Sequence, residues 1–192
     1  MNSVNNGRSN DFALKLDIFA SIEQDAKCVF YLLLSEVATE FLKSSEHYLT
    51  VKEHLELHWQ WLSDRKSDAD DLYCCVEDPD EETGTDNFLI EETDAQRAKV
   101  WEFISTALGK VSFSAFRLEN AEYLPQSLEA FIYEEPEIFK HFFHTFVELH
   151  GNSAPADKLL DYLAEHYPVD GNNKIDTSEI RQYFEQKAMS SD

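Results

Sequence analysis

In segment after segment of this chain, large apolar residues recur every three or four positions, the spacing that gathers them on one side of an α-helix. From Asp11 to Lys43, Phe12, Leu16, Phe19 and Ile22 share one face, and Val29, Leu32, Leu33, Val37, Phe41 and Leu42 continue with the same spacing. The polar stretch Gln24–Lys27 offers a division into two helices. Thr50 to Ser63 carries the stripe Val51, Leu55, Trp59 and Leu62. Asp68 to Val76 reads as a short helix with Asp68 or Asp70 as N-cap and Leu72, Tyr73 and Val76 turned inward. Asp94 caps a long helix from Ala95 to about Glu119, with the stripe Val100, Trp101, Ile104, Leu108, Val111, Ala115 and Leu118. Its small residues Ala107, Gly109, Ser112, Ser114 and Ala115 permit close approach of neighbouring helices. Pro125 suits the first turn of a brief helix through Phe131. Pro136 starts another, with Phe139, Phe142, Phe143, Phe146 and Leu149 inward and Gly151 as its stop. Pro155 to Tyr167 and Asp176 to Lys187 complete the series.

Strand signals are nearly absent: there is no sustained period-two alternation and no Asn-Gly hairpin. The expected fold is all-α, a single irregular bundle of seven or eight helices with an acidic loop and at most one short strand pair. No internal repeat is visible. Residues 1–10 read as a disordered tail, 11–167 as the helical domain, and 168–192 as a C-terminal turn and helix. At 192 residues, 43% apolar, the chain can build one core without disulfides or a structural metal.

Charge narrows the function classes. Sixteen Lys and Arg face 38 Asp and Glu, a net charge of −22. Such a surface repels phosphate backbones and anionic lipid, which argues against direct nucleic-acid or membrane binding, and it draws in basic proteins over a long range. The competing reading is that acidity only keeps the protein soluble. The charge concentrates in Glu77–Gln96, which holds Glu77, Asp78, Asp80, Glu81, Glu82, Asp86, Glu91, Glu92 and Asp94 and no Lys or Arg. Pro79 and Gly84 break regular structure there. An exposed acidic loop is expected, with one short strand at most, at Asn87–Ile90, and Phe88, Leu89 and Ile90 pinning it to the body.

Cys28, Cys74 and Cys75 are odd in number and two are adjacent, which points to reduced thiols in a reducing compartment. The first ten residues lack an apolar h-region, and the apolar cluster Cys28–Leu34 is too short to span a membrane. The cytoplasm is the expected location. No GxxxxGK[ST], GxGxxG or GxSxG motif is present, and the chain has five glycines. His54 and His58 have zinc-compatible spacing but no evident third ligand, so they read as polar-face histidines. His141 and His144 sit beside the phenylalanine stripe as boundary residues. Clustered acids on helices could serve a hydrolase, although composition alone makes such spacings abundant.

The sharpest metal-like signal is Asp170-Gly-Asn-Asn-Lys-Ile175-Asp176-Thr-Ser-Glu179. Aligned on an EF-hand loop, Asp170, Asn172, Asp176 and Glu179 take ligand positions three, five, nine and twelve, and Ile175 the apolar eighth. Pro168 at position one offers no side-chain oxygen, and Asn173 replaces the usual glycine. The other reading is a polar turn and a capping box, with Asp176 as N-cap and Glu179 at the third helical position. No cofactor is expected beyond this calcium alternative.

Four stretches carry a family resemblance. They are His58-Trp59-Gln60-Trp61-Leu62; Asp71-Leu72-Tyr73 running into Glu77-Asp78; Val100-Trp101-Glu102-Phe103-Ile104 with Ala107 and Ala115-Phe116; and Tyr123-Leu124-Pro125-Gln126-Ser127-Leu128-Glu129. In this order they resemble the sixth of the numbered bacterial immunity-protein families attached to polymorphic toxin systems, over roughly Asp25 to Leu163. The resemblance implies an all-α, non-enzymatic protein that binds and blocks a cognate toxin domain. It brings no catalytic residues, and Trp59, Trp61, Tyr73, Trp101 and Pro125 are assigned to the core. A basic, nuclease-like toxin would suit the acidic surface. The expected contact region is Asp68, Asp70 and Asp71 with Glu77, Asp78, Asp80, Glu81, Glu82, Asp86, Glu91 and Glu92, anchored by Phe88, Leu89 or Ile90. Against it stand a merely solvated loop and, for the whole chain, a calcium-responsive binding protein.

Overall fold

The structure, a computed structural model, describes residues 5–79, 83–171 and 174–189. Among these residues it contains ten α-helices and no strand: α1 (Asn5–Ala20), α2 (Gln24–Thr39), α3 (Tyr48–Asp64), α4 (Ala69–Cys74), α5 (Thr85–Glu91), α6 (Ala95–Glu119), α7 (Ala130–Tyr133), α8 (Glu135–His150), α9 (Ala154–His166) and α10 (Thr177–Tyr183). Short 3₁₀ turns at Glu40–Leu42 and Gln126–Leu128 and a π turn at Phe184–Ala188 complete the chain. The all-α class is as expected, but the count exceeds seven or eight. The acidic segment contributes α5, and the Pro125 element resolves into a 3₁₀ turn and the four-residue α7. Helix α1 begins at Asn5, inside the stretch expected as a tail; residues 1–4 lie outside the described residues. The strand expected at Asn87–Ile90 is instead part of α5. In place of a strand pair there is a single antiparallel bridge between Ile22 and Pro168. It joins the α1–α2 elbow to the end of α9 through Glu23 N–H to Tyr167 O at 3.0 Å and Val169 N–H to Ser21 O at 2.9 Å.

Helix ends follow local chemistry. Asp68 caps α4 by accepting the Asp71 N–H, Asp94 caps α6 by accepting those of Gln96 and Arg97, and Asp176 caps α10. Pro136 lies in the first turn of α8, and Gly151 ends that helix at φ +88°, a left-handed position that suits glycine.

Helices α2 and α6 pack on each other at the centre, and α6 also touches α3, α4, α5 and α8. The small residues of α6 permit this. The Cys28 thiol lies 3.2 Å from the Ser114 hydroxyl, and Gln24 Nε2 donates to that same hydroxyl at 3.0 Å. Aromatic stacking joins the next layer: Phe103 on Phe142 at 3.9 Å and Phe19 on Phe139 at 4.1 Å between ring centroids. Phe41 and Leu118, read from spacing as inward, face solvent instead. Leu118 sits in the last turn of α6, and Phe41 lies in the 3₁₀ turn that follows α2, where Leu42 rather than Phe41 turns inward.

Two buried polar features were not expected. Glu135, at the start of α8, accepts from Lys27 of α2 at 3.1 Å and from Lys110 of α6. Burial alone would raise its carboxyl, but the Lys110 and Lys27 ammoniums outweigh that and hold it below the usual carboxylate range. Burial pushes the Lys110 ammonium down against the pull of its neighbours. Second, His54 and His58 are buried rather than on a polar face. His58 Nδ1 is 2.7 Å from the His54 carbonyl, an acceptor, so Nδ1 carries the proton and Nε2 faces the Ser112 hydroxyl at 3.4 Å. Burial pulls His58 down to about 4 and His54 also to about 4, so both rings are neutral in the fold at pH 7.

Two stability predictions follow from these groups. Glu135→Gln leaves two buried ammoniums without a counter-charge and should cost roughly 3 kcal/mol in denaturant unfolding. Adding Lys110→Met should recover part of that loss, and no recovery would mean the lysines are not what Glu135 stabilises. Because its carboxyl is depressed by folding, the Glu135 contribution is full above its ordinary value of 4.5 and drains away as pH falls further. The histidines act at higher pH. Unfolded His58 takes up a proton near 6.5 and folded His58 only near 4, so stability falls as pH drops through that window. Going from pH 7 to pH 5 should cost on the order of 2 kcal/mol for His58. His58→Asn should flatten that limb, and an unchanged limb would assign the acid sensitivity elsewhere.

Candidate partner-docking surface

From Thr83 onward the acidic segment is folded back onto the end of α4. Thr85 N–H donates to Cys75 O at 3.0 Å and Asp86 N–H to Val76 O at 2.9 Å. Gly84 passes so close that a Cβ there would lie 2.6 Å from the Asp78 nitrogen and 2.9 Å from the Val76 oxygen, so only glycine fits without moving backbone. Asp78 Oδ2 accepts from the Thr83 N–H at 2.9 Å and from its hydroxyl at 2.8 Å, closing the turn. These bonds start α5 and explain why the segment is helical.

Several carboxylates expected at the contact surface serve the fold instead. Asp86 is half-buried and accepts from the Ser105 hydroxyl of α6; burial raises its carboxyl, and the Ser105 bond opposes that. Glu92 takes a two-pronged grip from Arg97, at 2.8 Å from Nε and 2.9 Å from Nη2, which holds it down to about 2. Phe88 is buried, stacked 4.0 Å from the His47 ring and 5.2 Å from Trp101, so it anchors α5 to the body and is not available to a partner. Leu89 is half-buried and Ile90 is 81% exposed. Asp80, Glu81 and Glu82 lie outside the described residues.

Among the described carboxylates of the expected contact set, Asp68, Asp70, Asp71, Glu77 and Glu91 are exposed. Four of them surround α4. Asp70 accepts from the Tyr123 hydroxyl, and Glu77 accepts from the Tyr73 hydroxyl, which also lies 2.6 Å from the Ser127 hydroxyl. Tyr123 is 57% exposed and stands edge-on to Phe116 at 5.6 Å. The result is an acidic face with an aromatic side chain at its edge and two carboxylates pre-oriented by tyrosines. Partial burial and the carboxylates of Asp78, Asp70, Asp71 and Asp68 raise the Cys74 thiol, so this exposed cysteine is a poor nucleophile. Burial lifts Cys28 to about 11 and Cys75 to about 12.

Spacing did not reveal a second acidic region. A groove of about 840 Å³ between α2, α3 and the π turn is lined by Glu36, Glu40, Glu53, Glu56 and Glu185. Arg181 partly fills it, with its guanidinium 4.6 Å from the Trp59 ring centre and bonded to Glu36. Trp59 Nε1 donates to the same Glu36 oxygen at 3.1 Å. Three separate segments meet here, so no local motif marks the groove. Trp59, Trp61 and Trp101 are buried; Tyr73 and Pro125 are half-buried, the latter capping the Gln126–Leu128 turn.

In the C-terminal loop the described polar groups bond within the fold. Asp176 Oδ1 accepts the N–H groups of Ser178 and Glu179, each at 3.0 Å, and Glu179 accepts from the Tyr162 hydroxyl at 3.2 Å. Asp170 is exposed and Asn172 lies outside the described residues. Among the described residues no group of three or more His, Cys, Asp or Glu side chains is placed to hold a metal ion. His141 is exposed, 3.5 Å from Glu102, and the His144 ring centre is 5.0 Å from that of Phe12. Among the described residues no helix is long and apolar enough to cross a membrane.

No curated protein and no solved structure matches the chain. The model of the family described as Immunity protein Imm6 matches residues 26–149. That span runs from the first turn of α2 to the end of α8 and contains the central α2–α6 pair, Glu135 and the α4 face. Since the match extends over well over half of the sequence, the chain belongs to the Imm6 family of immunity proteins.

Proposed function

We propose that this protein neutralises a basic, nuclease-like bacterial toxin domain by docking it on the acidic face around α4, in the cytoplasm of the cell that makes both. Family membership supports toxin binding as the task. The observation that carries the choice of face is the set Asp68, Asp70, Asp71 and Glu77, exposed together while their sequence neighbours Asp86 and Glu92 are bonded inward. An enzyme that must grip phosphates carries positive charge, and a carboxylate array competes for that surface and accelerates encounter. Tyrosine bonds already orient Asp70 and Glu77, so less side-chain freedom is lost on binding. Tyr123 supplies the aromatic area that long-range charge cannot. Inhibition by occupancy needs no catalytic group in the inhibitor. The contact set proposed here narrows the one read from spacing, because Asp86, Glu92 and Phe88 are engaged by Ser105, Arg97, and His47 with Trp101.

The combined variant Asp68→Asn, Asp70→Asn, Asp71→Asn and Glu77→Gln keeps the α4 cap, because asparagine also caps helices. In stopped-flow mixing with the toxin domain encoded beside it, association at low salt should slow about tenfold and lose much of its salt dependence. An unchanged rate would remove this face from the mechanism, and no binding of any neighbouring toxin would remove the function itself. Tyr123→Ala should speed dissociation and cost about 2 kcal/mol of affinity, with Tyr123→Phe closer to the wild type; equal effects of the two would exclude the ring as an anchor.

A further inference from the structure

A cavity of about 360 Å³ opens beside the buried lysines, where α2, α6, α7 and α8 meet. Gln24, Lys110, Ser114, Arg117 and Glu135 supply its polar lining, and Phe113, Phe131 and Ile132 its apolar walls. The charge in and around it does not balance. The Lys110 side chain is 1% exposed and that of Lys27 11%, yet both lean on the single carboxylate of Glu135. Each of its oxygens is already taken, Oε2 by Lys27 and Oε1 by Lys110. Arg117 lines the same cavity, and its guanidinium makes no ion pair or hydrogen bond among the described residues. Two buried ammoniums therefore share one carboxylate, and a third cation lines the cavity without a bond of its own, in a chain whose net charge is −22.

A buried ammonium without a full counter-charge is costly, and a bound anion removes that cost. Distant acidic groups do little to oppose an anion here, since exposed charges beyond a Debye length are screened. The volume lies in the range of small-molecule sites, which pair apolar walls with a few convergent polar groups. We infer that this cleft binds a small organic carboxylate, with the carboxylate between Lys110 and Arg117 and an apolar body against Phe113, Phe131 and Ile132. A guanidinium at the rim suits the two oxygens of a carboxylate. A phosphate dianion fits less well, because it brings no apolar body for those walls. This site is independent of the toxin-docking reading and lies on different residues.

The test uses the full-length chain at pH 7 and fixed ionic strength, with benzoate, hexanoate, acetate, phosphate and chloride as probes. Benzoate or hexanoate should raise the unfolding temperature saturably, as ligand linkage requires, and shift the Gln24 side-chain amide in NMR spectra. Acetate, lacking an apolar body, should bind more weakly. Arg117→Gln, at an exposed position, should weaken binding about tenfold, and Lys110→Met should abolish it. If Lys110→Met does not fold, Arg117→Gln and the Gln24 amide shift still decide the matter. The inference fails if no carboxylate gives a saturable effect, if binding survives Arg117→Gln undiminished, or if phosphate acts and the carboxylates do not.

Discussion

Glu135 stands where three helices must agree. Its carboxylate bonds Lys27 of α2 and Lys110 of α6, and it opens α8, so one half-buried group sets the position of α8 against the central pair. The first turn of a helix also favours a negative side chain. From that start, Phe139, Phe142 and Phe146 follow at helical spacing and meet Phe19 and Phe103. A cluster of this kind adds little net stability compared with a well-packed apolar substitute, but breaking one member strands the others in low dielectric. Its value lies in register. Phenylalanine stacking alone tolerates sliding by a turn, whereas two ammoniums reaching for one carboxylate do not.

The same economy governs the acidic surface. A chain with 38 carboxylates from Asp and Glu cannot display them all without self-repulsion, and this one divides them. Asp78, Asp86, Glu92 and Asp94 are spent on a turn, a helix contact, an ion pair and a cap. They hold α5 and the start of α6 rigid. The charges left outward around α4 then rest on a fixed platform, which would favour the docking proposed for this face. Gly84 is central to this arrangement, because backbone of Val76 and Asp78 occupies the space that a Cβ would need.

Described segments beyond the family span bond to one another and to the family core. The Ile22–Pro168 bridge ties the end of α9 to the α1–α2 elbow. Arg181 of α10 reaches Glu36 and lies over Trp59, where it forms part of the wall of the acidic groove. Asp176 and Glu179, which sequence spacing suggests as calcium ligands, here cap α10 and join it to Tyr162 of α9.

Much of the fold was legible in the sequence because helices are local objects. Apolar spacing, Asp68, Asp94 and Asp176 as caps, Pro136 as a start and Gly151 as a stop together specify an all-α chain, and each works within a few residues of itself. What escaped depends on distant partners. The stretch Asn87–Ile90 reads as a strand from its Phe-Leu-Ile run, yet carbonyls of Cys75 and Val76 start a helix just before it. His54 and His58 look like polar-face residues until Ser112 of α6 closes over His58. Spacing cannot tell an inward carboxylate such as Asp86 from an outward one such as Asp70, since only packing against Ser105 or exposure beside Tyr123 separates them. The sequence by itself determined the class of fold, the helix ends marked by Asp68, Asp94, Asp176, Pro136 and Gly151, and the sign of the surface charge. Tertiary structure alone decided which charges are buried, which are displayed, and that two lysines far apart in the chain converge on Glu135, because each of those outcomes is a contact between helices rather than a property of one.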